Sequence, residues 1–433
     1  MTTSVQKLPT GFRRLWTAQT VSSLGDGVSH AALPLIALTL TRDPMALAVV
    51  TAAGTLPWLL FGVLGGALVD RWDRRRTMWV VDAARAALLA VPAAAAALDV
   101  LSIPLLATTA FLLGLGGLFF DTAATAYLPD LLGRDPVLLE RANSRLRSTQ
   151  TAMSGFAGPP AGSALLALGR AVPLLADAVS FALSALLVRS LPAVPRPVPE
   201  SRESLLRQAR AGASYVFRDR LLLGLALRPA VGNVAFLAVE TVLALFAHDR
   251  LGIDTYGFGL LLTAEATGGL LGAGIASRLA RRLGTGTALT CTAAIEGLAV
   301  LGLASASNPY AAGLALAVCG AGMGATMVLA PSLRQAIVPA HLMGRVASTS
   351  RMLAMCAAPL GAFLGGWLAT THGVRTPLYA AAGLLLAMTA VTASMTSNRR
   401  VEVALRAAAQ AEGGPDRPAS REPAQEGAPG LSG

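Results

Sequence analysis

Of the 433 residues, 54% are hydrophobic and only 14% charged, and the mean hydropathy is +0.59. A water-soluble domain carries about a quarter charged residues, so this composition excludes a soluble globule and points to a membrane protein. The net charge of +11 does not indicate nucleic acid, because aromatics make up only 5% and never interleave with basic residues as a base-stacking platform requires. The three cysteines, Cys291, Cys319 and Cys356, sit inside apolar runs and act as small hydrophobes. No disulfide frame, metal site or cofactor is expected.

A bilayer core of about 30 Å needs roughly 20 apolar helical residues. Twelve such stretches occur, at 15–40, 45–69, 77–98, 101–128, 148–169, 171–191, 221–247, 256–279, 286–307, 309–331, 348–371 and 375–396. The first is expected to remain as a helix rather than be cleaved, since Gly25-Asp26-Gly27 interrupts it and no small-residue cleavage site follows a short core. Basic residues set the orientation: 29 of the 35 fall in, or within four residues of, the two terminal segments and the even-numbered gaps, four (Arg42, Arg170, Arg250, Arg375) likewise at the odd-numbered gaps, and Arg85 and Arg228 deeper within spans. By the positive-inside rule both termini are cytoplasmic and the protein is a multi-pass component of the cell membrane.

The chain divides into a cytoplasmic arm (1–14), a six-helix bundle (15–191), a linker (192–220), a second six-helix bundle (221–396) and a tail (397–433). The linker opens with Pro192, Pro195, Pro197 and Pro199. It then sets Leu205, Leu206, Ala209, Ala213, Val216 and Phe217 opposite Arg207 and Arg210, the pattern of an amphipathic helix lying on an anionic leaflet. The tail, rich in Ala, Gly, Pro and Glu, is expected to be disordered. The halves repeat each other. A shift of 207 lays Gly65, Arg71, Arg74 and Arg75 on Gly272, Arg278, Arg281 and Arg282, and a shift of 204 lays Arg141, Ser144, Arg147, Gly162, Gly169, Pro173 and Leu174 on Arg345, Ser348, Arg351, Gly366, Gly373, Pro377 and Leu378. Duplicated six-helix units imply two pseudo-symmetric bundles around a central cavity.

The gap between the second and third helices reads Gly66-Ala67-Leu68-Val69-Asp70-Arg71-Trp72-Asp73-Arg74-Arg75-Arg76. It resembles the Gly-x-Leu-x-Asp-Arg-x-Gly-Arg-Arg signature of the major facilitator superfamily, with Asp73 in place of the glycine. That resemblance, spanning about 15–396, implies that Asp70 pairs with neighbouring helix ends to hold the cytoplasmic side closed. Gly66, Arg71, Arg74 and Arg75 are the companion gating residues. In the fifth helix, Gly158-Pro159-Pro160-Ala161-Gly162-Ser163 is similar to the Gly-Pro-x-x-Gly-Gly element of drug antiporters, with Ser163 replacing the last glycine. It adds Gly158, Pro159 and Gly162 as conformational residues and favours export over import. Within the superfamily the chain is most similar to macrolide and siderophore exporters.

An ionisable group at mid-bilayer costs about 2.5–3.5 kcal/mol on insertion scales, so those inside the spans are candidate functional groups. Asp26, 11 residues into the first helix and thus about 17 Å deep at 1.5 Å per residue, is the first candidate for proton or cation binding. Asp121, Asp177, Glu240 and Glu265 are further candidates for the proton or the substrate, and Glu265 is the alternative coupling residue. Asp82 and Arg85, three apart on one helix face, read as a structural ion pair. Glu296 is set aside because the resemblance makes the ninth helix peripheral. Many proton-coupled relatives carry an arginine in the fourth helix, whereas this chain has only Asp121 there.

The reading is therefore an all-helical secondary transporter that exports small amphipathic organic molecules by alternating access. Protons are the coupling ion, the lipid bilayer the environment, and the protein acts as a monomer without nucleic acid. A dedicated siderophore or metabolite exporter, an importer, or a non-transporting sensor on the same fold are the alternatives. An enzyme is not expected, since His30, His248, His341 and His372 are scattered and no His-Glu-x-x-His or Gly-x-Ser-x-Gly motif occurs. With Lys7 the only lysine, no phosphate-cradling loop exists either.

Overall fold

The computed structural model describes residues 8–69, 72–133, 135–192 and 213–412. These are helical throughout, with no strand among the described residues. The first half comprises α1 (Thr10–Leu40), α2 (Pro44–Val69), α3 (Arg74–Ala97), α4 (Ile103–Leu132), α5 (Pro136–Gln150), a π-helical segment (Thr151–Ala157), α6 (Gly158–Leu168) and α7 (Ala171–Arg189). The second comprises α8 (Arg220–Leu251), α9 (Thr255–Leu283), α10 (Thr285–Ser305), α11 (Pro309–Ile337), α12 (Ala340–His372), α13 (Thr376–Ala393) and α14 (Asn398–Glu412).

Eleven of these helices are long and apolar enough to cross a membrane. The twelfth crossing is composite, because α5, the π-helical segment and α6 follow one another without a break. Pro159 and Pro160 explain the change of winding: neither has an N–H to donate back into the preceding turn, and the wider coil takes up the mismatch there. Aspartates outside the spans start the helices. Asp73, Asp135, Asp219 and Asp254 each accept from backbone N–H groups of α3, α5, α8 and α9, at 2.7–3.2 Å. Asp73, which replaces the signature glycine, thus serves as a helix cap.

Three sequence expectations need correction. The fifth span begins well before 148, since α5 runs from Pro136; its Glu140, Arg141, Arg145 and Arg147 read as loop, yet a helix leaving the bilayer continues readily in good helix formers once Asp135 caps it. The arm is helical from Thr10, because Phe12 is fully buried against the first bundle. The tail is helical over Asn398–Glu412. Its Ala, Arg and Glu residues favour helix, Val401 is buried among α8, α10 and α11 residues, and Asn398 clamps the α9–α10 corner by donating to Leu283 O (2.7 Å) and accepting from Thr287 N (3.0 Å). The proposed linker helix falls mostly on 193–212, outside the described residues; 213–218 is helical, with Val216 buried.

Helices approach closely where glycines face backbone, as membrane packing favours. A Cβ on Gly268 would lie 2.9 Å from Ala317 Cα, and one on Gly324 the same distance from Gly269 Cα, so α9 and α11 touch backbone to backbone. The duplication is visible in such contacts. Gly158 and Gly162 of α6 face α1 at Gly27 and Val28, and Gly361 and Gly365 of α12 face α8 at Val234 and Ala238, an offset of 203 in each glycine pair.

The apolar clusters that join the two bundles lie toward one end. Three apolar clusters combine residues of both halves: Ala31 and Leu35 with the α8–α9 core, Leu245 with the α1–α4 core, and Ala52 with Leu237, Ala358 and Ala362. At the opposite, arginine-rich end, one cluster contains only first-half residues (Phe12, Val69, Met78, Tyr127) and another only second-half residues (Leu222, Ala276, Leu329, Val346). Among the described residues the molecule is closed at one end, and no apolar cluster joins the bundles at the arginine-rich end. The closed end also carries polar ties between bundles. Arg42 Nη1 donates to Asp249 Oδ1 at 2.5 Å, His248 lies 2.9 Å from the same oxygen, and His30 of α1 lies 3.5 Å from Glu240 of α8.

Candidate functional site

In the first bundle the ionisable residues sort into buried, paired groups and exposed ones. Asp82 is fully buried, accepts from Ser184 Oγ at 2.6 Å and lies 3.7 Å from Arg85 Nη1. Arg85 also donates to Leu113 O at 3.0 Å and stacks 4.7 Å over the Phe181 ring. Gly116 and Gly117 of α4 make room for it, since a Cβ on Gly116 would come within 2.7 Å of Arg85 Nε. The guanidinium missing from the fourth span is therefore delivered against that span from α3. Asp177 is 1% exposed, accepts from Ser29 and from Ser180 Oγ (3.0 Å), and lies against the bare backbone of Gly25.

Asp26 and Asp121, by contrast, are exposed. Asp26 has Arg85, Asp121, Asp177 and Asp82 among its charged neighbours, and Asp121 has Arg85 of its own bundle and Arg351 of the other. Arg351 also stacks 5.1 Å over Trp58 of α2, so it reaches across from α12 to the first bundle. Nothing in the residue order singles out Arg351 beyond its place in the repeat opposite Arg147.

Of the residues expected to gate the cytoplasmic side, only some are described. Asp70 and Arg71 lie outside the described residues, and of Gly66 only its helical backbone in α2 is described. Arg74 pairs with Asp130 and donates to Ala126 O (3.1 Å), while Arg75 donates to Arg189 O at 2.5 Å. Both bind the start of α3 to the ends of α4 and α7 within one bundle. Gly158 packs on Gly27, and Pro159 O faces Gly259 of α9, so this corner of α6 touches a helix of each bundle.

The second bundle contains a cavity of about 170 Å³ walled by α8, α9, α10, α11 and α13. Glu240, Glu265 and Glu296 line it, as do Arg228, Cys319 and Met327. Glu265 has Glu240 as its charged neighbour; Glu296 accepts from Thr326 Oγ1 at 3.1 Å and has Arg228 as its own. Glu240 and Glu265 thus share one cavity, whereas Asp26, Asp121 and Asp177 belong to the other bundle. Glu296, set aside from the sequence, belongs here because Gly322 opens α11 toward it: a Cβ at that position would sit 2.6 Å from Glu296 Cγ. A glycine on the neighbouring span was the available signal.

Comparison with known proteins adds the following. A family profile described as transmembrane secretion effector matches residues 7–414. The multidrug efflux pump Tap of Mycolicibacterium fortuitum is 29% identical over 405 residues, covering 89% of this chain and 96% of that protein. Tap of Mycobacterium tuberculosis (strain ATCC 25618 / H37Rv) is 28% identical over 408 residues, covering 89% and 94%. Among solved structures, a bacterial homologue of the iron transporter ferroportin in an inward-facing state superposes with a TM-score of 0.73 at 18% identity, covering 90% of this chain and all of that one. The nucleoside transporter NupG gives 0.72 at 13% identity, with the same coverage. These likenesses extend to the fold.

Proposed function

The chain belongs to the transmembrane secretion effector family of the major facilitator superfamily, and from that premise we propose that it exports small amphipathic organic molecules by alternating access, driven by proton influx. The observation that carries this reading is the parting of the bundles at one end above two exposed carboxylates, Asp26 and Asp121, while the other end is closed by apolar packing. A cleft of that form receives a solute from one compartment only, and rocking about the closed end exposes it to the other. The positive-inside rule puts the arginine-rich end, and both termini, in the cytoplasm of a cell-membrane protein. The described state is then the loading state of an exporter. Similarity to Tap along nearly its whole length supports export of drug-like compounds.

In this scheme Asp26 carries the coupling proton, with Arg85 and Asp121 as the charges it exchanges against. Glu240 and Glu265 attract the cationic part of a substrate, since each is a carboxylate bordering a largely apolar cavity. Asp82, Arg85 and Asp177 hold the first bundle together. Gly66, Asp70, Arg71, Arg74 and Arg75 form the cytoplasmic gate, and Gly158, Pro159 and Gly162 the flexible corner on which the bundles turn. One chain suffices for the cycle, so the transporter acts as a monomer.

Proteoliposomes with an imposed pH gradient test the scheme. Wild type should accumulate amphipathic dyes against their concentration gradient, and Asp26→Asn should lose uphill movement while retaining downhill exchange. Undiminished uphill flux in Asp26→Asn would remove Asp26 from coupling; absence of any flux in wild type across a broad compound panel would remove transport itself.

A further inference from the structure

The mechanism above leaves one buried cation without a task. Arg228, on α8, is 9% exposed and lines the cavity of the second bundle. One of its terminal nitrogens donates to Leu289 O, whereas the other, Nη1, is buried with no hydrogen-bond partner. Its charged neighbour is Glu296, but no carboxylate lies within 4.0 Å of the guanidinium among the described residues, and Glu296 is occupied by Thr326. A buried N–H of a charged group left without an acceptor forfeits its hydration with nothing in return. An acceptor brought into the cavity would relieve that cost.

The cavity has two electrical poles. Arg228 and Glu240 are 12 residues apart on α8, roughly 18 Å of axial rise. Glu265 is placed with Glu240 at the far pole, and Glu296 with Arg228 at the near one. The wall between them is apolar, with Phe236, Val239, Leu243 and Leu316. Met327, 77% exposed, also lines the cavity, so it reaches the outer surface of the bundle beside the Arg228 pole.

We infer that this cavity is a bipolar subsite for elongated zwitterionic amphiphiles, in which the Arg228 guanidinium receives a carboxylate or enolate oxygen while Glu240 and Glu265 receive an ammonium group at the other end. The inference rests on the exporter reading and narrows it from amphipathic cations in general to molecules carrying both charges. Permanent cations use only the carboxylate pole and gain nothing from Arg228, which repels them. Specificity then follows from geometry: a molecule with an acceptor at one end and an amine at the other satisfies both poles at once, and one lacking the acceptor leaves Arg228 as it stands in the empty cavity.

Equilibrium binding to the purified full-length protein separates the possibilities, with norfloxacin, a zwitterion at neutral pH, and ethidium, a permanent cation, as probes. Arg228→Gln should weaken norfloxacin at least tenfold and leave ethidium unchanged or up to several-fold tighter. Glu265→Gln should weaken both. Arg228→Lys keeps the buried charge without the planar fork and should weaken norfloxacin by an intermediate factor, which keeps the test open if the glutamine variant does not fold. Equal weakening of both probes by either Arg228 variant would identify a structural role and overturn the proposal, as would no change in norfloxacin. A wild-type protein that binds neither probe also overturns it, while uphill flux of other compounds in proteoliposomes would leave the exporter reading standing.

Discussion

The two bundles are built on one plan but handle their buried charges differently. In the first, Asp82, Arg85 and Asp177 are tied by Ser184, Ser29, Ser180 and the Leu113 carbonyl, with glycines of α4 and α1 pressed against them, and the buried atoms left without a hydrogen-bond partner, Asp82 Oδ1 and Arg85 Nε, belong to an ion pair 3.7 Å long. In the second, Arg228 keeps a free nitrogen, Glu265 has no hydrogen bond among the described residues, and a cavity separates them. Ionisable groups in a membrane are expensive in either setting. Where partners saturate them they act as internal struts; where they border a void they are available to a ligand.

The sharpest break would come from removing one cation from each network. Arg85→Met strands Asp82, which is fully buried, and should cost about 3–5 kcal/mol, seen as a large drop in the thermal midpoint in mild detergent and partly recovered in the double variant Asp82→Asn/Arg85→Met. A double-mutant cycle on Arg228 and Glu296 should give a coupling below about 1 kcal/mol, because the pair is longer than 4.0 Å. Comparable losses in the two bundles would sink the distinction.

Two glycine-to-alanine changes test the same contrast on a smaller scale. A methyl at Gly116 meets Arg85 Nε at 2.7 Å and should destabilise by about 1–3 kcal/mol. A methyl at Gly232, which lines the cavity and has nothing within 4 Å, should be neutral or stabilising by up to about 1 kcal/mol through helix propensity. Thermal unfolding of both variants decides it, and a destabilised Gly232→Ala would mean the cavity is not open space.

The smallest effect is expected where the bundles are tied across the closed end. Arg42→Ala removes an exposed ion pair worth about 0.2–1 kcal/mol, so the balance between the closed and opened forms of that end should shift no more than about fivefold. Distances between spin labels on α1 and α8 would report the shift. A complete switch of state would make Arg42 and Asp249 a principal lock rather than one tie among many apolar contacts.

Much of the architecture is legible in the residue order because a bilayer imposes a single length scale: apolar runs near 20 residues and the arginine asymmetry locate the spans without any knowledge of packing. The errors share a cause. Pro136–Gln150 and Asn398–Glu412 are helices whose stability comes from capping, propensity and contacts with the bundle ends rather than from an apolar run, so a hydropathy pattern passes over them. The ionisable set was visible one residue at a time, but not which members meet. That Asp177 finds Ser29 across 148 residues, that Arg85 fills the place of a fourth-span arginine, and that Gly322 admits Glu296 to a cavity are properties of crossings between helices, which depend on small residues at particular rotations.

The clamp made by Asn398 has a practical consequence. Because that side chain fastens the start of α14 to the corner between α9 and α10, and Val401 is sunk into the same bundle, α14 is a rigid outrigger of the second half alone. A fluorophore or binding tag attached at its outer end would swing with that half as a pointer on a dial, and so register each stroke of the cycle from the water phase without a label placed in the conduction path.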